Sequence, residues 1–380
     1  MSSGLLYQHD MVIDPSTGHP CIAWVDDSAV IRCRVWNGTE FVNPIANLDP
    51  TFGAGAVDVA CAHDGTNFYL AYHNPDGIIG VTFVNDGINV LATTEGEAPL
   101  GPGNGALISI AWHSSNGGIM VGDVAIDGMR CFFYYSGSWV QLGSDGDIEA
   151  LGGGLQEGSL AAFAPKFYNS GATLIGAFTY WAEGIGMQYR TALWGGSSWS
   201  LLTTDDTWCT LNGTDVAPAF ATDHVEGDEA SLITLRCTSD GGSANIIRMS
   251  FVNGDGWFND PSNADLAYLI GGNDRLALTE GSLSISQHPD TGNMVAVAND
   301  TDGNVYAMIS DTFYGENTGW TFLGRVQGAV TANIAGGTET LNAGYPVVLW
   351  DWADDPLRVW MLLRTSDGKL QVRRVELTAP

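Results

Sequence analysis

Residues 284–320 read SISQHPDTGNMVAVANDTDGNVYAMISDTFYGENTGW. Three short apolar runs at 283–286, 294–298 and 305–309 are separated by the turn clusters PDTG at 289–292 and DTDG at 300–303. The runs alternate or are β-branched, and each gap sets Gly beside Asp or Asn, residues that tolerate the positive φ of a hairpin turn. A fourth run opens at Trp320 after the loop 315–319. The stretch reads as one four-stranded antiparallel meander.

Working outward, the same unit recurs along the chain. Its second-to-third turn is acidic in every copy: Asp26 and Asp27, Asp76, Asp127, Glu183, Asp240, Asp302, then Asp354 and Asp355. These turns are spaced by roughly 50 to 60 residues, a period of propeller blades rather than helical solenoids. The third-to-fourth turn repeats in step at Gly38, Gly87, Gly137, Gly196, Gly254, Gly319 and Gly368, and an aromatic such as Phe41, Trp139, Trp199, Trp257 or Trp320 opens the next strand. Seven such copies predict an all-β chain, a seven-bladed β-propeller of four-stranded antiparallel blades. The blades are expected at about 10–46, 57–93, 107–143, 160–204, 216–258, 283–325 and 330–377, so the 380 residues form a single propeller domain. The run VTANIAG is taken as the first strand of the seventh blade, and Leu5 to Tyr7 as a strand that latches the ring to it.

Composition narrows the class. A ring grows by adding blades and needs no second core, and 49 glycines suit many tight turns. No stretch reaches the ~20 apolar residues of a spanning helix, and MSSGLLYQHD lacks the parts of a secretory signal. A product made in the cytoplasm, without membrane contact, is the expectation. Net charge is −29 with only 14 Lys plus Arg, and the basic stripe of a nucleic-acid binder is missing. Such acidity suits a basic protein partner, divalent cations or simple solubility. Six cysteines show no zinc-site spacing and read as small buried hydrophobes.

Strand direction alternates within a meander, so second-to-third turns and inter-blade connections share one end. That end would carry Asp26, Asp27, Asp76, Asp127, Glu183, Asp240, Asp302, Asp354 and Asp355, a candidate binding face for a cationic partner. The competing reading is hairpin chemistry, because Asp-Gly is itself a favoured turn pair. The turn 299–304 (NDTDGN) looks like the start of a calcium loop but lacks the later acidic ligand. No cofactor or metal site is therefore assigned, with Ca2+ the one ion this turn keeps in view. His63, His113 and His288 end first strands and read as partners of the adjoining turns. The connection 259–281 is long enough for a short helix or an extra hairpin.

The turns YSGSW139, GGSSW199, NGDGW257 and ENTGW320 resemble the Asp-box turn of sialidase-like and BNR-repeat propellers, Ser-x-Asp-x-Gly-x-x-Trp. RVWNG38 and ALWGG196 are similar to repeats of propeller lectins. The lectin resemblance implies sugar binding between blades. It makes Trp139, Trp199, Trp257 and Trp320, with Trp24, Trp36 and Trp194, candidate stacking platforms; packing between blades is the alternative role of the same rings. The sialidase resemblance implies three arginines around a central pocket, yet the first strands hold none. Arg32, Arg34, Arg130, Arg190, Arg248 and Arg358 fall on third strands, where salt bridges between blades are expected.

There is no GxSxG, HExxH or phosphate loop, so catalytic residues are not assigned and the chain is read as a non-enzyme. The leading functional reading is a recognition or assembly propeller in a larger particle, such as a phage or virus tail or surface. A glycan-binding propeller lectin is the alternative, followed by a glycan-active hydrolase.

Overall fold

The computed structural model describes residues 9–26, 28–44, 58–74, 77–84, 87–93, 108–113, 118–125, 128–135, 138–144, 147, 164–170, 173–184, 186–201, 220–225, 231–239, 245–253, 256–259, 283–288, 293–300, 302, 304–310, 320–326, 330–333, 346–351, 358–364 and 370–376. Their elements are strands gathered into seven four-stranded antiparallel sheets.

Sheet 1 holds β1 (His9–Ile13), β2 (Pro20–Val25), β3 (Ile31–Trp36) and β4 (Phe41–Val42). Sheet 2 holds β5 (Asp58–His63), β6 (Phe68–Asn74), β7 (Gly77–Val84) and β8 (Gly87–Thr93). Sheet 3 holds β9 (Ile108–His113), β10 (Gly118–Ala125), β11 (Gly128–Tyr135) and β12 (Ser138–Gln141). Sheet 4 holds β13 (Ala164–Ser170), β14 (Thr173–Gly184), β15 (Gly186–Trp194) and β16 (Trp199–Leu201). Sheet 5 holds β17 (Phe220–Val225), β18 (Ser231–Ser239), β19 (Asn245–Asn253) and β20 (Gly256–Asn259). Sheet 6 holds β21 (Leu283–Gln287), β22 (Met294–Asn299), β23 (Val305–Ser310) and β24 (Trp320–Arg325). Sheet 7 holds β25 (Val330–Asn333), β26 (Val347–Trp350), β27 (Arg358–Arg364) and β28 (Leu370–Glu376).

The chain divides into two compact units, one of residues 1–184 and 190–201, the other of 185–189 and 202–380. In the first unit the leading strands β1, β5, β9 and β13 pack side by side in succession; in the second, β17, β21 and β26 do the same. Sheets therefore face one another across shared apolar layers. Cys21, Ala23, Val25, Ile31 and Cys33 of sheet 1 bury against Val59, Cys61, Phe68, Leu70 and Tyr72 of sheet 2. Ala60, Ala62, Tyr69 and Ala71 on the other face of sheet 2 meet Ile108, Ile110, Ile119, Val121 and Phe132 of sheet 3. Both faces of a sheet are thus apolar, which is why β2 and β22 read as continuous hydrophobic runs, buried at every position. Each fully buried aliphatic contributes about 1.5–3 kcal/mol relative to exposure.

Polar groups stitch the leading strands together. Asp10 accepts the backbone N–H of its own neighbour Met11 and, with its other oxygen, that of Cys61 on β5. Asp58 repeats the device, accepting Val59 N–H at 2.9 Å and Ile108 N–H of β9 at 3.0 Å. Between β21 and β26 the stitches are Val348 N–H to Ser284 Oγ and Trp350 Nε1–H to the Ser286 carbonyl.

Sheet 7 corrects the sequence reading. Its strand order is β25-β28-β27-β26, so the VTAN run pairs with β28 at the outer edge and PVVLW supplies the strand that lies against β21. Both runs are apolar; the deciding difference is that Val348 and Trp350 fill the layer facing Val295 and Val297, with Trp350 reaching Ser286. The chain between β26 and β27, where Asp354 and Asp355 fall, therefore connects the innermost strand of this sheet to its neighbour, where a second-to-third turn was expected; those two acids lie outside the described residues. The place expected for the latch is occupied by β25; Leu5 to Tyr7 and the connection 259–281 lie outside the described residues.

The buried stitches predict a specific cost. Asp58, 4 % exposed, serves two amides, so Asp58→Ala should destabilise by on the order of 3 kcal/mol and Asp58→Asn by less. Chemical denaturation measures this; equal, negligible losses for both variants would refute the stitching role.

Candidate functional site

Third-to-fourth hairpins repeat one register. Trp36 pairs with Phe41, Tyr134 with Trp139, Trp194 with Trp199 and Val252 with Trp257. In each of these four sheets an arginine stands four positions earlier on the third strand: Arg32, Arg130, Arg190 and Arg248. Residues two or four apart share a face of a strand, so guanidinium and aromatic positions recur together on one face. Four residues span about 13 Å of strand, so each arginine stands towards one end of its third strand and the aromatic pair at the other, where an apolar ring face could meet the C–H face of a sugar ring.

The rings are not equally available. Trp36 and Phe41 pack at 5.0 Å between centroids, and Trp194 and Trp199 at 5.4 Å. Trp199 is only 6 % exposed, and its indole N–H is donated to the Leu142 carbonyl of the loop that follows sheet 3. Gly143 lies against that indole with φ +88°, and a Cβ there would sit 2.8 Å from the ring. Trp139 is half-buried and packs on the layer between sheets 2 and 3. Trp320 is half-buried at the start of β24, and Trp257 sits at the equivalent register position of β20. Trp36 and Trp194, at the ends of their third strands, are half-buried like Trp139 and Trp320. The sequence singled out Trp199 by its turn, but the structure leaves its cross-strand neighbour Trp194 the more accessible ring.

Arg32, Arg34 and Arg358 find their partners within their own sheets, where salt bridges between blades were expected. Arg32 Nε donates to Asp26 at 2.8 Å, Arg34 lies over Trp24 and Arg130 over Phe132. Arg358 meets Glu376 across paired strands, and Arg374, over Trp360, donates to Asp351 at 2.6 Å from Nε. Long side chains reach the nearest strand of the same sheet first, because inter-sheet space is filled with apolar groups.

Among the described residues, two of the acidic turns show local wiring. Asp26 accepts the amides of Ser28 and Val30 and the Arg32 side chain, at positions +2, +4 and +6. Asp300 repeats that spacing with Asp302, Asn304 and Tyr306. The sequence pointed to Asp302, which is exposed; the structural partner is Asp300, legible from the shared spacing DxxxxxR and DxxxxxY. Glu183 is the penultimate residue of β14. Asp27, Asp76, Asp127, Asp240, Asp354 and Asp355 lie outside the described residues. Among the described residues no group of three His, Cys, Asp or Glu is placed to hold a metal ion.

Hydrogen bonding decides the ionisation of these acids. Burial pushes Asp26 up, but the Val30 amide and Arg32 outweigh it and hold the carboxyl below its usual range. Asp64 likewise ends low, through Tyr69 and Asn67 against burial. Cys21, Cys33, Cys61 and Cys131 are buried free thiols, and burial pushes Cys33 up to about 12 and the others strongly upward.

No protein-family model and no curated protein matches the sequence. Solved structures do match in shape. SapL1 lectin in complex with alpha methyl fucoside aligns over 84 % of this chain and 95 % of its own, at 13 % identity and TM-score 0.53. A fungal lectin from Aleuria aurantia, a six-bladed β-propeller with a novel fucose recognition mode, aligns over 97 % of this chain and 90 % of its own, at 13 % identity and TM-score 0.51. A mutant of that lectin bound to Fucα1-6GlcNAc gives 97 %, 91 %, 13 % and 0.52. The shared fold is that of the propeller lectins. At this identity the likeness concerns fold alone, and the seven sheets here compare with six blades there.

Two outcomes follow from the geometry. Gly143→Ala, forced into a left-handed φ against Trp199, should lower stability by roughly 2 kcal/mol and shift tryptophan emission; an unchanged melt would show that the loop does not seat on the indole. For Asp26 and Asp64 the folded pKa is depressed, so their contribution is complete above about pH 4 and is lost as pH falls through the folded values. Asp26→Asn should remove part of that acid limb in a pH-dependent melt, and an identical limb would contradict the assignment.

Proposed function

We propose that the chain is a non-catalytic, glycan-binding β-propeller whose seven four-stranded sheets are its blades. The observation that carries this reading is the repeated arginine-to-aromatic register of sheets 1, 3, 4 and 5, on a fold whose solved neighbours include lectins bound to fucosides. Repetition is itself the support: a packing device needs an aromatic at the hairpin, but not an arginine four residues before it in four sheets. Trp36 and Trp194 are the proposed stacking faces. Neutral saccharides bearing fucose are the first ligand class to test. The structure and the comparisons add no observation in favour of a particle or tail component, so the glycan reading takes precedence.

Glycan-array binding followed by calorimetry with α-methyl fucoside tests the proposal. Removing one stacking ring should weaken its site about tenfold or more. With several similar sites, Trp194→Ala should lower the number of sugars bound while leaving the remaining sites intact. Folded wild-type protein that binds no arrayed glycan, or that releases reducing sugar from oligosaccharides, would overturn it.

A further inference from the structure

The junction between the leading hairpins of sheets 1 and 2 is built around a histidine that the glycan reading does not use. His63 ends β5 with its side chain 7 % exposed, stacked on Phe68 at 6.4 Å. Its Nδ1 accepts the Gly65 N–H at 2.9 Å. The same Nδ1 lies 3.5 Å from Oδ1 of Asp14, in the hairpin of the neighbouring sheet. One nitrogen cannot accept from Gly65 and donate to Asp14 together. The shorter bond assigns a neutral ring with its proton on Nε2, and the Asp14 approach is no ion pair in this state.

We propose that His63 is a proton-operated latch between the first hairpins of sheets 1 and 2. Protonation adds a hydrogen at Nδ1, turning the acceptor of the Gly65 amide into a donor aimed at Asp14. The Gly65 turn then loses its anchor while the imidazolium gains a carboxylate. That turn is tight, with φ +91° at Gly65 and the Pro15 ring 3.6 Å from the place of a Cβ. It is also wired onward: Asp64 accepts the Thr66 and Asn67 amides and the Tyr69 hydroxyl, and Tyr69 stacks on Trp112 of sheet 3 at 5.6 Å. Releasing the turn therefore loosens a contact that reaches three successive sheets.

The charged groups bearing on His63 are Asp14 from sheet 1 and Asp64 beside it in the chain. Burial outweighs both carboxylates and holds the imidazole below its usual pKa. Asp14 is already satisfied by Ser16 and Thr17, so it does not draw the proton at neutral pH. The folded protein thus binds this proton less readily than the unfolded chain. The latch contribution is complete above the model-compound value of 6.5 and is lost as pH falls from there towards the folded value.

Long-range 1H–15N spectra of the intact protein read the tautomer directly, and amide exchange at Gly65, corrected for intrinsic rate, reads the latch. The expected result is an unprotonated Nδ1 at pH 7. Below pH 6.5 Gly65 exchange should accelerate with a slope approaching tenfold per pH unit, that of one proton, in wild type but not in His63→Gln. A protonated Nδ1 at pH 7, or corrected exchange that ignores pH in wild type, would overturn the proposal, as would the same slope in His63→Gln. Should His63→Gln not fold, the wild-type spectra and exchange decide alone.

Discussion

A four-stranded sheet whose two faces are both apolar cannot cover itself, and this constraint governs the rest of the structure. Cys21 and Cys33 on one face of sheet 1 require Val59 and Cys61 of sheet 2, and Ala60 and Ala62 on the reverse of that strand require Ile108 and Ile110 of sheet 3. The same demand recurs where Val295 and Val297 meet Val348 and Trp350. Each sheet is the lid of its neighbour, so stability spreads along a series of similar interfaces rather than one centre. Backbone groups at the leading strands then have no water to turn to, and Asp10, Asp58 and Ser284 supply the missing acceptors.

The strong acidity of the chain takes on another meaning in this setting. Asp14, Asp26, Asp64 and Asp300 spend their oxygens on turn amides and on nearby hydroxyl, amide or guanidinium groups. An aspartate at the mouth of a hairpin closes the turn by accepting amides two to four residues onward, as Asx turns do. These four aspartates of the charge pattern thus serve as structural wiring of their own turns. What remains distinctive is the arginine that recurs at one register of four third strands, of which Arg32 is tied to the Asp26 turn.

The fold places aromatic residues at the third-to-fourth hairpin ends of sheets 1, 3, 4 and 5, with an arginine four positions earlier on each third strand. Propeller lectins share the architecture at 13 % identity, a level at which side-chain roles do not transfer. Four hairpin tryptophans, Trp36, Trp139, Trp194 and Trp320, keep part of their rings exposed. Trp194 and Trp36 differ from Trp199 in this respect because Trp199 is drawn into the preceding loop by its N–H bond to Leu142 and the close approach of Gly143.

Local chemistry by itself determined the strand-turn-strand period, the pairing of consecutive strands and the seven-fold recurrence. Hairpin register depends on turn residues and alternation over a few positions, and both are written along the chain. Other features depend on contacts between residues far apart in sequence. Only the tertiary structure decided that VTAN is an outer strand and PVVLW the one beside β21, since the choice hinges on Trp350 reaching Ser286, 64 residues away. It likewise decided that Asp300 rather than Asp302 anchors its turn, that Arg32 and Arg358 bond within their sheets, and that Trp199 is buried while Trp194 is partly exposed. Apolar runs look alike in one dimension, and what separates them is which neighbouring sheet fills the space beside them.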